Sequence, residues 1–374
     1  MPVDVDVVGE TRRGRNLYLV KIGDPSKTPV MIMGQQHGNE PTGFSATLRL
    51  IAQPAGGAQL ASVGQLAADV LDELYVLVMP QVNPDGAAAV TRGNTDFDAP
   101  PRDSRDCFAD DGSVDPSQAN QGRGVFTTEF EDSDTYSYDI NRYHWPDWSA
   151  SWQIRCNPEF DGRHFDPTTN PVPEAVAALE TYEQYQPIWV VDVHNQGLLR
   201  VPDGANAVVN EPGADVTSSV LWPTNGDVAP EAVDLSKQLT LVMKGLSLRL
   251  DGSEMTRYEG GDFPGIARNA YGLLGSARVA AGEPAPVGGS VLLEVSGQAE
   301  DDLSRRERRR RSRDATKLLW EALSTTADGS LYRVDPALAE LLILPQQERL
   351  PSEAAASAER SLSGVGAAAH DITD

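Results

Sequence analysis

Two histidines and two glutamates are spaced along the chain in a way that could assemble metal-assisted hydrolytic chemistry. His37 and Glu40 stand three apart in Gln35-Gln36-His37-Gly38-Asn39-Glu40, directly after the apolar run Val30 to Gly34. Where a strand gives way to a helix, side chains at that spacing can converge on one ion. The pair is short enough to arise by chance, and its position after a buried strand raises it above that level. A catalytic zinc site needs a third protein ligand and a position left open for water. His194 ends the run Trp189-Val190-Val191-Asp192-Val193-His194 and is placed as His37 is, at the end of a strand. A lone histidine there is usually a hydrogen-bonded structural residue; the company of His37 and Glu40 turns the reading toward a metal. Asp192 lies two residues earlier on the same strand face, where it could orient or electrostatically support the site.

Glu294 is a carboxylate inside the apolar run Ser290 to Val295. An unpaired buried Glu is costly, so such a residue either pairs, works, or faces solvent from an edge strand. Beside a metal-bound water, partial desolvation would raise its pKa to suit a general base. Asn141 and Arg142, in Asp139-Ile140-Asn141-Arg142, could fork onto a carboxylate, because a guanidinium meets one with two parallel N–H bonds. Asn83-Pro84-Asp85-Gly86 reads as a turn, with Arg92-Gly93-Asn94 soon after.

The elements that must position these residues are legible as periodicity. Strand-like apolar runs occupy Leu17 to Ile22, Val30 to Gly34, Leu74 to Pro80, Pro187 to Val193 and Val291 to Val295, and helical patterns occupy Glu40 to Ala52, Val172 to Tyr185, Glu231 to Leu250 and Leu303 to Leu323. Their alternation predicts an α/β sheet covered on both faces, with ligands gathering where strands end. Residues 93–138, rich in Asp, Gly, Pro and Ser, read as a long surface excursion, and the Ala/Ser/Glu-rich end from Pro351 as a loosely docked tail. The basic run Arg305 to Arg313 reads as the solvated face of the last helix.

With 374 residues and 40% hydrophobic content the chain can bury a substantial core. A net charge of −24 argues against nucleic acid as the main partner. No apolar stretch approaches the roughly 20 residues of a membrane span, and the N-terminus alternates Val with Asp before turning basic, so no membrane partner and a cytoplasmic location are expected. Cys107 and Cys156 are too few for a disulfide framework or a Cys-based zinc site, which leaves His and carboxylate to hold any metal.

The ordered elements HGNE at His37 to Glu40, NPDG followed by RGN at Arg92 to Asn94, DINR at Asp139 to Arg142, VDVHNQ through His194, and LLEVSG through Glu294 together resemble the M14 zinc metallocarboxypeptidases, the carboxypeptidase A-like family. The resemblance runs from about Gly14 to Leu323. It implies a mixed, mostly parallel central sheet flanked by helices, the phosphorylase/hydrolase-like fold. One catalytic domain would span residues 1–325 with an insertion at about 95–138, followed by an extension at 326–374. It further implies one Zn2+ per chain on His37, Glu40 and His194, with Glu294 as the base that activates water. Asn141 and Arg142 would hold the terminal carboxylate of a peptide substrate and Arg92 would stabilise the oxyanion. Asp139 would accept a hydrogen bond from a ligand histidine. Tyr271, in ARNAYGLLG, is expected as the tyrosine that caps the substrate, with Tyr258, in MTRYEGG, as its competitor. An amidase or deacylase of the same clan and a catalytically silent peptide-binding module are the alternatives. The specificity pocket is expected between Asp251 and Gly289, where an acidic floor from Asp251, Glu254, Glu259 or Asp262 would select Lys or Arg.

Overall fold

The computed structural model describes residues 3–53, 67–95, 125–127, 136–151, 168–284, 286–297, 303–345 and 347–349. Its centre is an eight-stranded sheet built from β1 (Val3–Glu10), β2 (Asn16–Ile22), β3 (Thr28–Gly34), β4 (Leu74–Met79), β5 (Trp189–Gln196), β6 (Ser218–Leu221), β7 (Met255–Arg257) and β8 (Gly289–Ser296). They lie in the order β1-β2-β4-β3-β5-β8-β6-β7. The pairs β4–β3, β3–β5, β5–β8 and β6–β7 are parallel and the rest antiparallel. The expected mixed, mostly parallel sheet is therefore present.

The continuous apolar runs of the central strands follow from burial on both faces. Val30, Ile32, Val191, Val193, Val291 and Leu293 point into one core, beneath α1 (Pro41–Ala52), α4 (Pro230–Ser247) and α6 (Arg305–Ala327). Met31, Met33 and Val190 point into the other, with Ala175, Tyr182 and Tyr271 from α3 (Pro173–Tyr185) and α5 (Ala267–Ala280). The two-residue period of a strand thus divides one hydrophobic run between two cores.

α6 begins with a capping box between Ser304 and Glu307, and Leu318, Leu319 and Trp320 are buried while Arg305, Arg306, Arg309, Arg310 and Arg313 are exposed, as the basic run predicts. Two elements lie outside the expected pattern, an edge strand and a short helix. β1 alternates Val with Asp on an exposed edge, where Asp4 and Asp6 pair with Lys21. Asn83-Pro84-Asp85-Gly86 is not a free turn: it opens the short helix α2 (Pro84–Ala89), and the Asn83 side chain accepts the Gly86 N–H at 2.8 Å. Within the expected excursion, residues 94–95, 125–127 and 136–138 form a three-stranded sheet. Its remainder, both cysteines and the tail from Pro351 lie outside the described residues. No helix among the described residues is long and apolar enough to cross a membrane.

Candidate active site

Three of the sequence motifs are locked together by backbone contacts at the ends of β3 and β4. The Gly38 N–H donates to the Arg92 carbonyl at 3.1 Å, and Asn83 Nδ2 donates to the carbonyls of Gln36 (3.1 Å) and Arg92 (3.2 Å). The approach is so close that a Cβ on Gly38 would stand 1.9 Å from the Gly86 carbonyl carbon, and one on Gly86 would stand 2.4 Å from the Gly93 oxygen. The glycines of HGNE and NPDG are therefore required by one contact surface, which also takes in the backbone of RGN and carries His37 and Arg92 to the same place.

Sheet register brings the remaining groups. Gly34 pairs with Val193 across β3 and β5, so His37, three residues past β3, stands beside His194. Glu294 pairs with His194 across β5 and β8 and projects on the same face. The β5 end also holds α1: the Asn195 N–H donates to Glu40 Oε2 (2.9 Å), and the Thr42 N–H donates to Asn195 Oδ1 (3.1 Å).

His37, Glu40 and His194 are buried and offer ligand atoms that all lie within 4.8 Å of one another. His37 Nδ1 is 2.8 Å from Glu40 Oε1 and His194 Nδ1 is 3.0 Å from Glu40 Oε2, while the two Nδ1 atoms are 3.0 Å apart. Each Nε2 faces outward onto a carboxylate, His37 onto Asp139 Oδ1 (3.0 Å) and His194 onto Asp192 Oδ2 (2.6 Å). Those carboxylates hold the Nε2 protons and leave the Nδ1 lone pairs facing inward, as metal-ligating imidazoles require. Burial opposes charge on Glu40 and Asp139, yet their neighbours outweigh it: the interactions and hydrogen bonds of His37 and His194 keep the Glu40 carboxyl far below its usual range, and Arg92, Arg142 and His37 do the same for Asp139. The donor set of two inward imidazole nitrogens and one ionised carboxylate fits zinc.

Beneath this cluster runs a chain of buried polar groups. Gln36 Nε2 donates to Asp192 Oδ2, Gln36 Oε1 lies 2.6 Å from His144 Nε2, and His144 Nδ1 lies 3.2 Å from the Tyr271 hydroxyl. Burial lowers the His144 pKa to about 4, which keeps the ring neutral. Gln36 and His144 were not picked out from the sequence, because a Gln and a His separated by 108 residues carry no local signal. This chain also fixes the position of Tyr271. Its ring packs 5.2 Å from that of Tyr182 within the core and its hydroxyl is spent on His144, so it is held away from the cleft. Tyr258 lines the cleft instead. Its backbone N–H is tied to Val220, and the Glu294 charge, with burial, pushes its hydroxyl pKa up to about 12.

The cleft encloses about 480 Å³ and opens onto His37 and Glu40. Arg92, Asn141, Arg142 and Glu294 all line it. Arg92 grips Asp139 Oδ2 through Nε (3.2 Å) and Nη2 (3.1 Å), and its Nη1 is 3.4 Å from Glu40 Oε1. Asn141 is fixed by the Ala267 N–H, which donates to its Oδ1 at 2.8 Å, and Arg142 Nη1 donates to the Asn141 carbonyl at 2.9 Å. Burial pushes the Glu294 pKa up to about 8; the Glu40 charge adds to this, while His194 and Arg92 oppose it, and Glu294 Oε2 has no hydrogen-bond partner. Of the acids considered for a specificity floor, Glu259 lines the cleft but is exposed, while Glu254 accepts a hydrogen bond from Asn210. The buried charged residue in that part of the cleft is Arg268.

The same fold occurs in solved structures of low sequence identity. A Shewanella denitrificans protein assigned as a carboxypeptidase A shares 15% identity at a TM-score of 0.52, with 87% of this chain and 65% of that chain covered. A metallo-carboxypeptidase from Burkholderia cenocepacia shares 16% at 0.51, covering 88% and 66%. Thrombin activatable fibrinolysis inhibitor shares 13% at 0.52, covering 89% and 70%. The chain thus spans about two thirds of the length of these proteins, and slightly less for the first two. A search of curated protein sequences finds no match. The model of the zinc carboxypeptidase family matches residues 2–208, a segment that holds His37, Glu40, His194, Asp139, Asn141 and Arg142. Since that match takes in more than half of the chain, the protein belongs to the M14 family of zinc carboxypeptidases.

Proposed function

We propose that this protein is a zinc-dependent hydrolase that removes C-terminal residues from peptides. The observation that carries the reading is the convergence of His37 Nδ1, His194 Nδ1 and Glu40, with both outer imidazole nitrogens already held by Asp139 and Asp192. Zinc bound there supplies Lewis acidity for the scissile carbonyl and brings the pKa of a water toward ~7. Glu294 takes the proton from the attacking water and passes it to the leaving amine; its raised pKa suits both transfers. Asn141 and Arg142 hold the substrate's terminal carboxylate, and Arg92 places fixed positive charge where the oxyanion develops. Asp139 and Asp192 keep the ligand imidazoles in one tautomer and raise their basicity.

The test is release of free amino acids from a mixture of peptides by the zinc-loaded protein, with and without a chelator. Amino-acid release that the chelator stops, and that Glu294→Gln abolishes without changing zinc content, supports the reading. Release of the acyl acid from N-acyl amino acids, with peptides untouched, would assign the site to an amidase instead.

A further inference from the structure

Arg268 sits in the first turn of α5, one residue past the Ala267 N–H that fixes Asn141, and it lines the same cleft as Arg142 and Glu294. It is 3% exposed. Its Nη2 donates to Thr224 Oγ1 and to the Gly261 carbonyl, both neutral acceptors, whereas its buried Nε has no partner. No described carboxylate forms an ion pair with it; Glu259 and Asp262, the acids on the neighbouring loop, are exposed. Burial and the charge of Arg142 lower its pKa to about 10, still cationic at neutral pH. A guanidinium buried without a counter-charge is expensive, so the fold retains a cation whose partner it does not itself supply.

Resting on the peptidase reading above, we propose that Arg268 is the counter-charge for an acidic side chain, so that the cleft selects peptides ending in Glu or Asp. A dicarboxylic terminal residue matches two of the cleft's three guanidiniums, Arg92 being already paired with Asp139: its α-carboxylate goes to Asn141 and Arg142, and its side-chain carboxylate to Arg268. Glu and Gln are nearly isosteric, so the discrimination between them comes from charge. A neutral amide replaces the carboxylate only in part, because its oxygen can accept from Arg268 but it brings no charge and its NH2 cannot take the second guanidinium N–H. A Lys-ended peptide would bring a further cation against Arg142 and Arg268.

The experiment compares kcat/KM of the zinc-loaded enzyme on one peptide series ending in Glu, Asp, Gln, Leu or Lys. The expected result is a Glu-over-Gln ratio of about ten to a hundred, collapsing to about one in Arg268→Gln and retained in part in Arg268→Lys. Binding of the Glu- and Gln-ended peptides to zinc-loaded Glu294→Gln protein, measured by calorimetry, should show the same ratio without turnover. This separates the two ideas: amino-acid release without the preference overturns the role of Arg268 alone, whereas binding with the preference but no hydrolysis in the wild type overturns the peptidase reading alone. Equal losses on every peptide in Arg268→Gln would make Arg268 part of the α-carboxylate clamp and overturn the proposal, as would a preference for Gln, Leu or Lys.

Discussion

His37 Nδ1 and His194 Nδ1 face each other at 3.0 Å, while the Nε2 of each ring is held from behind by a separate aspartate. If both protons stay on Nε2, two lone pairs point into one gap, so a cation or an added proton must stand between them. Burial works against a charged His194, but Asp192 and Glu40 outweigh it and lift its pKa well above the usual histidine value. A proton and a metal ion therefore compete for the same place.

Zinc should consequently stabilise the protein strongly. At zinc a thousandfold above its dissociation constant, linkage gives about 4 kcal/mol, visible as a rise of the melting temperature over the chelator-treated protein. His37→Ala or His194→Ala should remove that rise. Asp139→Asn should weaken zinc binding by about tenfold to a hundredfold, since the outer hydrogen bond sets the ligand's tautomer. An unchanged melting temperature on adding zinc would count against the site.

Glu294 makes a prediction in kinetics. Only its ionised form can accept a proton, so kcat/KM should rise with pH through its pKa. That pKa is about 8 in the cleft without a cation, and a bound cation draws it lower. Glu294→Gln should lower kcat by about 10² to 10⁴ and erase this rise while zinc content stays at one per chain. A wild-type profile flat across pH 5 to 8 would remove Glu294 from the base role.

The same group predicts an effect on stability. Burial raises the carboxyl from 4.5 to about 8, with Glu40 adding to the shift. The folded metal-free protein then binds a proton that the unfolded chain has released between those values. The associated stabilisation is complete below about pH 4.5 and is lost as pH rises to about 8. Denaturant titrations of chelated wild type and Glu294→Gln should therefore show the wild type losing stability relative to the variant across this window, and no further change above it. A difference that is constant with pH would contradict the buried position of the carboxyl.

The elements that carry the site were readable because buried parallel strands are unbroken apolar runs, and β3, β5 and β8 are such runs. β6 and β7 are not: Ser219 and Thr256 are buried there by hydrogen-bonding to each other at 2.9 Å, which no hydropathy pattern reports. α5 was missed for a related reason. Its buried face is made of Ala267, Arg268, Asn269, Ala270, Tyr271, Gly272 and Gly275, mostly small or polar residues. The ligand candidates stood at strand ends and could be found locally, whereas Arg268 and the Gln36–His144 chain depend on contacts between distant segments.

Tyr258 and Tyr271 should separate in their variants. Tyr258→Phe removes a hydroxyl from the cleft wall and should lower kcat/KM with little change in stability. Tyr271→Ala empties a fully buried position between Tyr182 and His144 and should cost about 3–5 kcal/mol. Tyr271→Phe loses only the hydroxyl contact with His144 and should cost about 1 kcal/mol. If Tyr271→Phe reduced turnover more than Tyr258→Phe at equal stability, Tyr271 and not Tyr258 would be the tyrosine that acts on the substrate.

Two glycines should respond to alanine in opposite ways. At Gly38 the new Cβ would stand 1.9 Å from the Gly86 carbonyl carbon and 2.2 Å from the Ala87 nitrogen, both backbone atoms that cannot turn aside. Gly38→Ala must therefore part the HGNE loop from α2, costing about 3 kcal/mol or more, and it must carry His37 away from His194 so that zinc binds more weakly. Gly245, inside α4, has nothing within 4 Å of an added Cβ, and there alanine gains helix propensity, about 0.5–1 kcal/mol. Melting temperatures of the two variants with and without zinc test this directly: Gly38→Ala should lose stability and most of the zinc-induced rise, whereas Gly245→Ala should gain stability and keep the rise intact. A Gly38→Ala protein with wild-type zinc affinity would mean that the glycine contact does not set the position of His37.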